Sequence, residues 1–130
     1  MSEKFSLEII SPDTTIFKAE ATEVTIPSFE GAMGILKNHI PLVTFLRPGL
    51  VLFKNDKTEE KFFIEDGTVE FSNNLLLILS STVKNLKNIS KEESKMMLDK
   101  AEEKIKKDKI QDKEKYILSY KIETLREIRQ

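Results

Sequence analysis

The chain is 130 residues long, its 21 Lys and Arg offset by 22 Asp and Glu, with one histidine, His39, and neither cysteine nor tryptophan. This excludes disulfide scaffolds, thiol catalysis and cysteine-ligated metal sites, removes the paired histidines of most catalytic zinc centres, and leaves no basic excess for nucleic-acid binding. No apolar run approaches the roughly 18–20 residues that cross a bilayer, so direct membrane insertion is not expected.

Residues 1–4 lead straight into an alternating segment, with neither a signal-peptide core nor an arginine-rich transit peptide. Together with the lack of cysteine this fits a reducing cytoplasm. Two compositions then meet near Ile89. Residues 1–89 carry 9 basic and 12 acidic side chains with all 4 glycines and all 4 prolines, whereas residues 90–130 carry 12 basic and 10 acidic. Gly and Pro punctuate turns and are kept out of helix interiors, so the first part is predicted to be turn-rich and the second helical. The expected units are 1–89 and 90–130.

Phe5, Leu7 and Ile9 alternate with Ser6, Glu8 and Ile10, and Val24 and Ile26 flank Thr25 before Pro27 stops the run. A period of two marks a half-buried strand. Gly31-Ala32-Met33-Gly34 invites a phosphate-loop reading, but no Gly-Lys-Ser/Thr follows and Pro41 and Pro48 come soon after, so it is read as a structural turn. His39 has no nucleophile or carboxylate partner at readable spacing and is read as a structural or interface residue. Residues 50–53 and 61–65 flank the polar Lys54-Asn55-Asp56-Lys57, and residues 68–71 and 75–80 flank Ser72-Asn73-Asn74. Both are hairpin signals, since Asn tolerates the left-handed conformations of tight turns. Closely spaced strands with no helical pattern between them predict an antiparallel β-sandwich or flattened barrel.

Ser90-Lys91-Glu92-Glu93 reads as a capping box that opens a helix, with the Ser90 side chain on the Glu93 amide and the Glu93 carboxylate reaching back to Ser90. Met97, Ala101 and Ile105, widened by Leu98, form one apolar stripe; it lapses over residues 108–112 and resumes with Leu118, Ile122 and Leu125, joined by Ile117, Tyr120 and Ile128. This predicts an antiparallel α-helical hairpin. Its stripes are thin, so the hairpin is expected to be marginal alone and detachable from the sandwich. Lys104, Lys106, Lys107 and Lys109 cluster, but the helical charge is mixed in sign, as on a solvated face. No catalytic constellation, metal-ligand set or cofactor loop is visible, which points to an adaptor rather than an enzyme built on Glu65 or Asp66. A free-standing protein-binding module that dimerises through the hairpin fits the same residues.

Read in order, Pro27-Ser28-Phe29-Glu30-Gly31-Ala32-Met33-Gly34-Ile35-Leu36, then His39-Ile40-Pro41-Leu42-Val43-Thr44, then Leu46-Arg47-Pro48-Gly49 resemble the epsilon subunits of F-type ATP synthases. Leu7-Glu8-Ile9-Ile10-Ser11-Pro12, Ile16-Phe17 and Gly67-Thr68-Val69-Glu70-Phe71 extend the likeness, as do Ala101-Glu102-Glu103 and Leu125-Arg126. The resemblance implies a non-catalytic rotor part at the cytoplasmic face of the inner membrane, peripheral, in a proton-translocating machine. It also implies three partners. Glu30, Gly31, Ala32, Met33, Gly34 and Ile35 would form a turn facing the c-ring, and Ser11, His39 and Thr44 would lie toward the gamma subunit. Lys104, Lys107, Lys121 and Arg126 would approach the alpha/beta hexamer when the hairpin extends and opposes ATP hydrolysis.

The chain departs from the family pattern in three places. Ala32 stands where a polar residue is common, and Asp66 stands in place of a glycine before Gly67. At the start of the first helix some members bind ATP through Ile/Leu-Asp-x-x-Arg-Ala, where this chain reads Ile89-Ser90-Lys91-Glu92-Glu93-Ser94. A carboxylate at the position of the arginine opposes phosphate charge. No ATP binding is therefore expected, and calorimetry that found submillimolar affinity would overturn this.

Overall fold

The computed structural model describes residues 3–107 and 109–128. The strands are β1 (Phe5–Ile10), β2 (Thr15–Ala21), β3 (Glu23–Ser28), β4 (Gly31–Ile35), β5 (Leu42–Leu46), β6 (Gly49–Lys54), β7 (Glu59–Ile64), β8 (Gly67–Ser72), β9 (Leu75–Leu79) and β10 (Lys84–Asn85). A 3₁₀ turn (Leu86–Asn88) leads to the helices α1 (Lys91–Ile105) and α2 (Asp112–Ile128). As expected from the sequence, a β-sandwich is followed by two helices.

The strands form one sheet in the order β10-β7-β6-β3-β5-β8-β9-β1-β2, with β4 added to β3. It curls at β3, whose first residues pair with β6 and whose last, Ser28, pairs with Leu46 of β5. Its two halves enclose a core in which Phe5, Leu7 and Ile9 of β1 meet Val24 and Ile26 of β3, Phe53 of β6, Phe62 and Ile64 of β7, and Phe71 of β8. The alternation read from β1 and β3 is the alternation of burial observed, because successive side chains of a strand point to opposite faces. One pairing departs from the antiparallel expectation: β1 lies parallel to β9, with Leu7 beside Leu76 and Ile9 beside Ile78.

Local chemistry sets the turns. Asn73 and Asn74 both take positive φ, at 50° and 57°, the conformation that a two-residue hairpin of type I′ requires. In the β6–β7 loop the Asn55 side-chain oxygen accepts from the amides of Lys57 and Thr58 at 2.9 and 2.8 Å. The Gly31–Ile35 segment is not the turn read from the sequence. It is strand β4, and the turn is Phe29-Glu30, after which Gly31 leaves at φ 124° and its carbonyl accepts from the Ser28 hydroxyl at 2.7 Å.

The hairpin begins as expected, with the Ser90 hydroxyl accepting from the Glu93 amide at 3.0 Å. The reciprocal half of the capping box is replaced: the Glu93 carboxylate pairs with Lys84 of β10 at 2.9 Å, because a full opposite charge is at hand. The buried line of α1 is Ser94, Leu98 and Ala101, with Met97 and Ile105 at its margin. In α2, Leu118, Ile122 and Leu125 are buried as expected, and Thr124 joins them by donating to the Tyr120 carbonyl at 2.8 Å. Asp108 lies outside the described residues, while Asp112, placed in the break by the sequence reading, opens α2.

The hairpin seam closes on Phe63 of β7, fully buried, with Leu50 of β6, Leu86 and Ile89 around it. Since Phe62 and Ile64 face the sandwich core, Phe63 faces out of it. Helices and sandwich thus share one strand between two cores.

Gly67 holds φ 154°, and a methyl group there would lie 2.7 Å from the Leu79 carbonyl oxygen. Gly67→Ala is expected to cost about 2–3 kcal/mol through positive-φ strain and that contact, read as a lower urea midpoint with an unchanged slope.

Candidate functional site

No group of three or more His, Cys, Asp or Glu suited to holding a metal occurs among the described residues. The candidate site is therefore a set of surfaces, and two stand out: the outer face around β5 and the underside and flank of the docked hairpin.

Strand β5 is apolar on both faces. Leu46 points inward, Leu42 packs against the sandwich core, and Thr44, opposite buried Val69, shares that inner face. Val43 and Phe45 point outward and are 74% and 62% exposed. Ile40 just upstream is 74% exposed, and Leu79, two strands away on the same outer face as Phe45, is also exposed. Along its other side β5 meets β3 only at Ser28, so much of that edge is open. Scattered exposed apolar side chains are ordinary, whereas a contiguous group on an open strand marks an interaction surface. The signal was present in Leu42-Val43-Thr44-Phe45-Leu46, where period two leaves apolar residues on both faces.

The residues expected to face a gamma subunit are not brought together. Ser11 lies in the β1–β2 turn, where its hydroxyl donates to the Thr14 carbonyl at 3.2 Å. His39 lies at the opposite end of the sheet, its ring nitrogen Nδ1 2.7 Å from the Ile40 carbonyl and its ring edge against Phe71. Thr44 sits between them and faces inward, half-buried. The run between these ends is the outer face that carries Val43 and Phe45.

Of the residues expected to face a c-ring, Glu30, Ala32 and Gly34 are exposed, at the tip and along the outer side of the β3–β4 hairpin. Met33 packs against the core and Ile35 is buried within it, so the side chains at these two positions serve the fold. Phe29, beside Glu30 at the tip, is 42% exposed and was missed. Ala32 and Gly34 leave this side of β4 flat.

Three of the four hairpin cations expected to reach the alpha/beta hexamer are engaged. Lys104 pairs with Glu114 at 2.9 Å and Arg126 with Glu102 at 2.7 Å, both between α1 and α2. Lys121 pairs with Glu65 of the sandwich at 2.6 Å. Lys107 is exposed in the turn after α1. Beside Lys121, the Arg47 guanidinium lies 4.0 Å from the centre of the Tyr120 ring, and the Tyr120 and Tyr116 hydroxyls are 2.7 Å apart. That hydrogen bond raises the Tyr116 phenol above its ordinary pKa, with Arg47 acting in the opposite sense. A cleft of about 1250 Å³ separates the hairpin from the sandwich, with Phe29, Phe45 and Leu79 on one side and Lys100, Lys104 and Ile117 on the other.

The chain resembles known proteins in sequence and in fold. Residues 4–85 match the family model described as ATP synthase, Delta/Epsilon chain, beta-sandwich domain. The chain is 42% identical to the ATP synthase epsilon chain of Pelagibacter ubique over 127 residues, covering 97% of this chain and 98% of that one. It is 36% identical to that of Dichelobacter nodosus, covering 82% and 75%. Among solved structures, a chain of the Euglena gracilis mitochondrial ATP synthase OSCP/F1/c-ring assembly superposes with a TM-score of 0.78 at 22% identity, covering 95% of this chain and 80% of that one. A chain of the Tetrahymena thermophila mitochondrial ATP synthase central stalk/c-ring gives 0.64 at 14% identity, covering 99% and 98%. At these identities the structural likeness is one of fold.

Proposed function

The chain belongs to the epsilon-chain family of ATP synthases, and we propose that it works as a non-catalytic part of the rotor that ties the gamma shaft to the c-ring. The observation that carries this reading is the exposed apolar group on β5, Val43 and Phe45 with Ile40 upstream. Gamma is its proposed occupant. A partner laid along that face runs from Ser11 at one end of the sheet to His39 at the other, and meets β5 through its outward side chains rather than through Thr44. The tip of the β3–β4 hairpin, Phe29 and Glu30 with the flat side at Ala32 and Gly34, is the proposed seat on the c-ring. No helix among the described residues is long and apolar enough to cross a membrane; the proposed location is peripheral, on the cytoplasmic face of the inner membrane, through the ring.

The hairpin, residues 90–130, is proposed to be a separable regulatory unit. In the docked state Lys104 and Arg126 are tied to α1–α2 partners and Lys121 to the sandwich. Release of the hairpin from the sandwich breaks the Lys121 pair, and parting of α1 from α2 breaks the other two, which frees the cations for acidic surface on the alpha/beta hexamer, where the hairpin opposes ATP hydrolysis. The ion-pair share of the cost is small, because partly exposed pairs are worth about 0–1 kcal/mol each.

A chain carrying Val43→Glu and Phe45→Glu is expected to fold, since both positions are exposed, and to bind gamma at least about tenfold more weakly because two charges would be desolvated; undiminished co-purification with gamma would overturn the assignment of this face. Chain 1–89 added to the catalytic sector is expected to support coupling while leaving ATP hydrolysis faster than the full chain leaves it. Equal hydrolysis rates would remove the inhibitory role.

A further inference from the structure

Among the described residues, the polar ties between the hairpin and the sandwich fall at three points, and none of the three lies in the apolar seam. At the start of α1, Glu93 meets Lys84 of β10 at 2.9 Å. In the middle of α2, Lys121 meets Glu65, in the turn after β7, at 2.6 Å. One residue earlier on α2, the Tyr120 ring is capped by Arg47, from the link between β5 and β6, at 4.0 Å. The Arg47 guanidinium is oriented from behind by its own chain, donating to the Pro48 carbonyl at 2.9 Å. The pairs run in both directions, a sandwich cation on a hairpin anion and a hairpin cation on a sandwich anion, so the arrangement is not the product of net charge. Opposed to these ties are two buried polar atoms without a hydrogen-bond partner among the described residues, Arg47 Nε and Ser94 Oγ. A buried polar atom left without a partner costs free energy.

We propose that Lys84–Glu93, Glu65–Lys121 and Arg47–Tyr120 form a three-point clasp that sets how often the hairpin leaves the sandwich, so that ionic strength, rather than a bound ligand, tunes the docked population of this chain. The inference rests on the reading of the hairpin as a separable element and adds what holds it. The apolar seam on Phe63 favours docking at any salt concentration, whereas the two ion pairs are partly exposed and are screened. The arginine stack, which binds partly through dispersion and packing, is weakened less.

The absence of cysteine permits a direct test on the full chain. Lys57→Cys in the β6–β7 loop and Glu123→Cys on α2, both exposed, carry spin labels, and pulsed dipolar spectroscopy reports docked and undocked distances. Raising NaCl from low to molar concentration is expected to increase the undocked fraction several-fold. Glu65→Gln and Glu93→Gln are each expected to raise it about threefold at low salt, as loss of one such pair predicts, and together to flatten the salt response. The exchange Glu65→Lys with Lys121→Glu, which keeps a pair of opposite charge, is expected to restore docking. If the hairpin undocks to the same extent in wild type and in the Glu65→Gln, Glu93→Gln double variant, the clasp is refuted while the separable hairpin stands. If no condition or variant produces an undocked population, both fail.

Discussion

Strand β7 is apolar on both faces, and the rest of the molecule is arranged around that fact. Phe62 and Ile64 project into the sandwich and Phe63 projects out of it, each with essentially no exposure. A strand in a free-standing sandwich presents one wet face, so an outward phenylalanine needs a cover. Leu98, Ala101, Leu118, Ile122 and Leu125 supply it. Because the cover is a helix pair with a thin stripe, the second core is small, and it holds the hairpin without merging it into the sandwich. Burying a phenylalanine side chain is worth roughly 1.5–3 kcal/mol, and Phe63 adds this to the seam beside the helix residues that cover it.

Around that seam the polar contacts are distributed according to what each one joins. Pairs within the hairpin, Lys104–Glu114 and Arg126–Glu102, close the two helices on one another. Pairs across the boundary join the hairpin to the sandwich at the start of α1 and the middle of α2. A two-state element responds to a partner only when its states lie within a few kcal/mol of each other. The proposed release of the hairpin requires that apolar docking and the partly exposed charge pairs together stay in that range.

The exposed apolar group lies elsewhere, on and around β5, whose side toward β3 is paired only at Ser28. The cleft that the docked hairpin forms with the sandwich reaches Phe45 and Leu79, so the position of the hairpin and the accessibility of that end of the surface are geometrically linked.

How much of this was legible in the sequence depends on the range of the forces involved. The alternation of Phe5, Leu7 and Ile9, the Asn73-Asn74 turn and the Ser90 cap were readable because each is decided within a few residues by side-chain direction or local hydrogen bonding. Gly31-Ala32-Met33-Gly34 was misread as a turn because two glycines outweigh strand propensity locally, and only pairing with β3 overrides them. For the candidate site, Glu30 was named, but the turn at Phe29-Glu30 and the inward direction of Ile35 and Thr44 could not be read, since which face is inward depends on the partner strand. Lys121 was picked out as a cation, yet nothing near it in sequence indicates Glu65. By itself, then, the sequence determined the alternation of β1 and β3, the Asn-based turns, the Ser90 cap and the order of strands followed by two helices, all of which follow from short-range periodicity and composition. The tertiary structure alone decided the parallel docking of β1 on β9, the outward Phe63, the open flank of β5 and the charge pairs that hold the hairpin, because each joins residues that only the folded chain brings together.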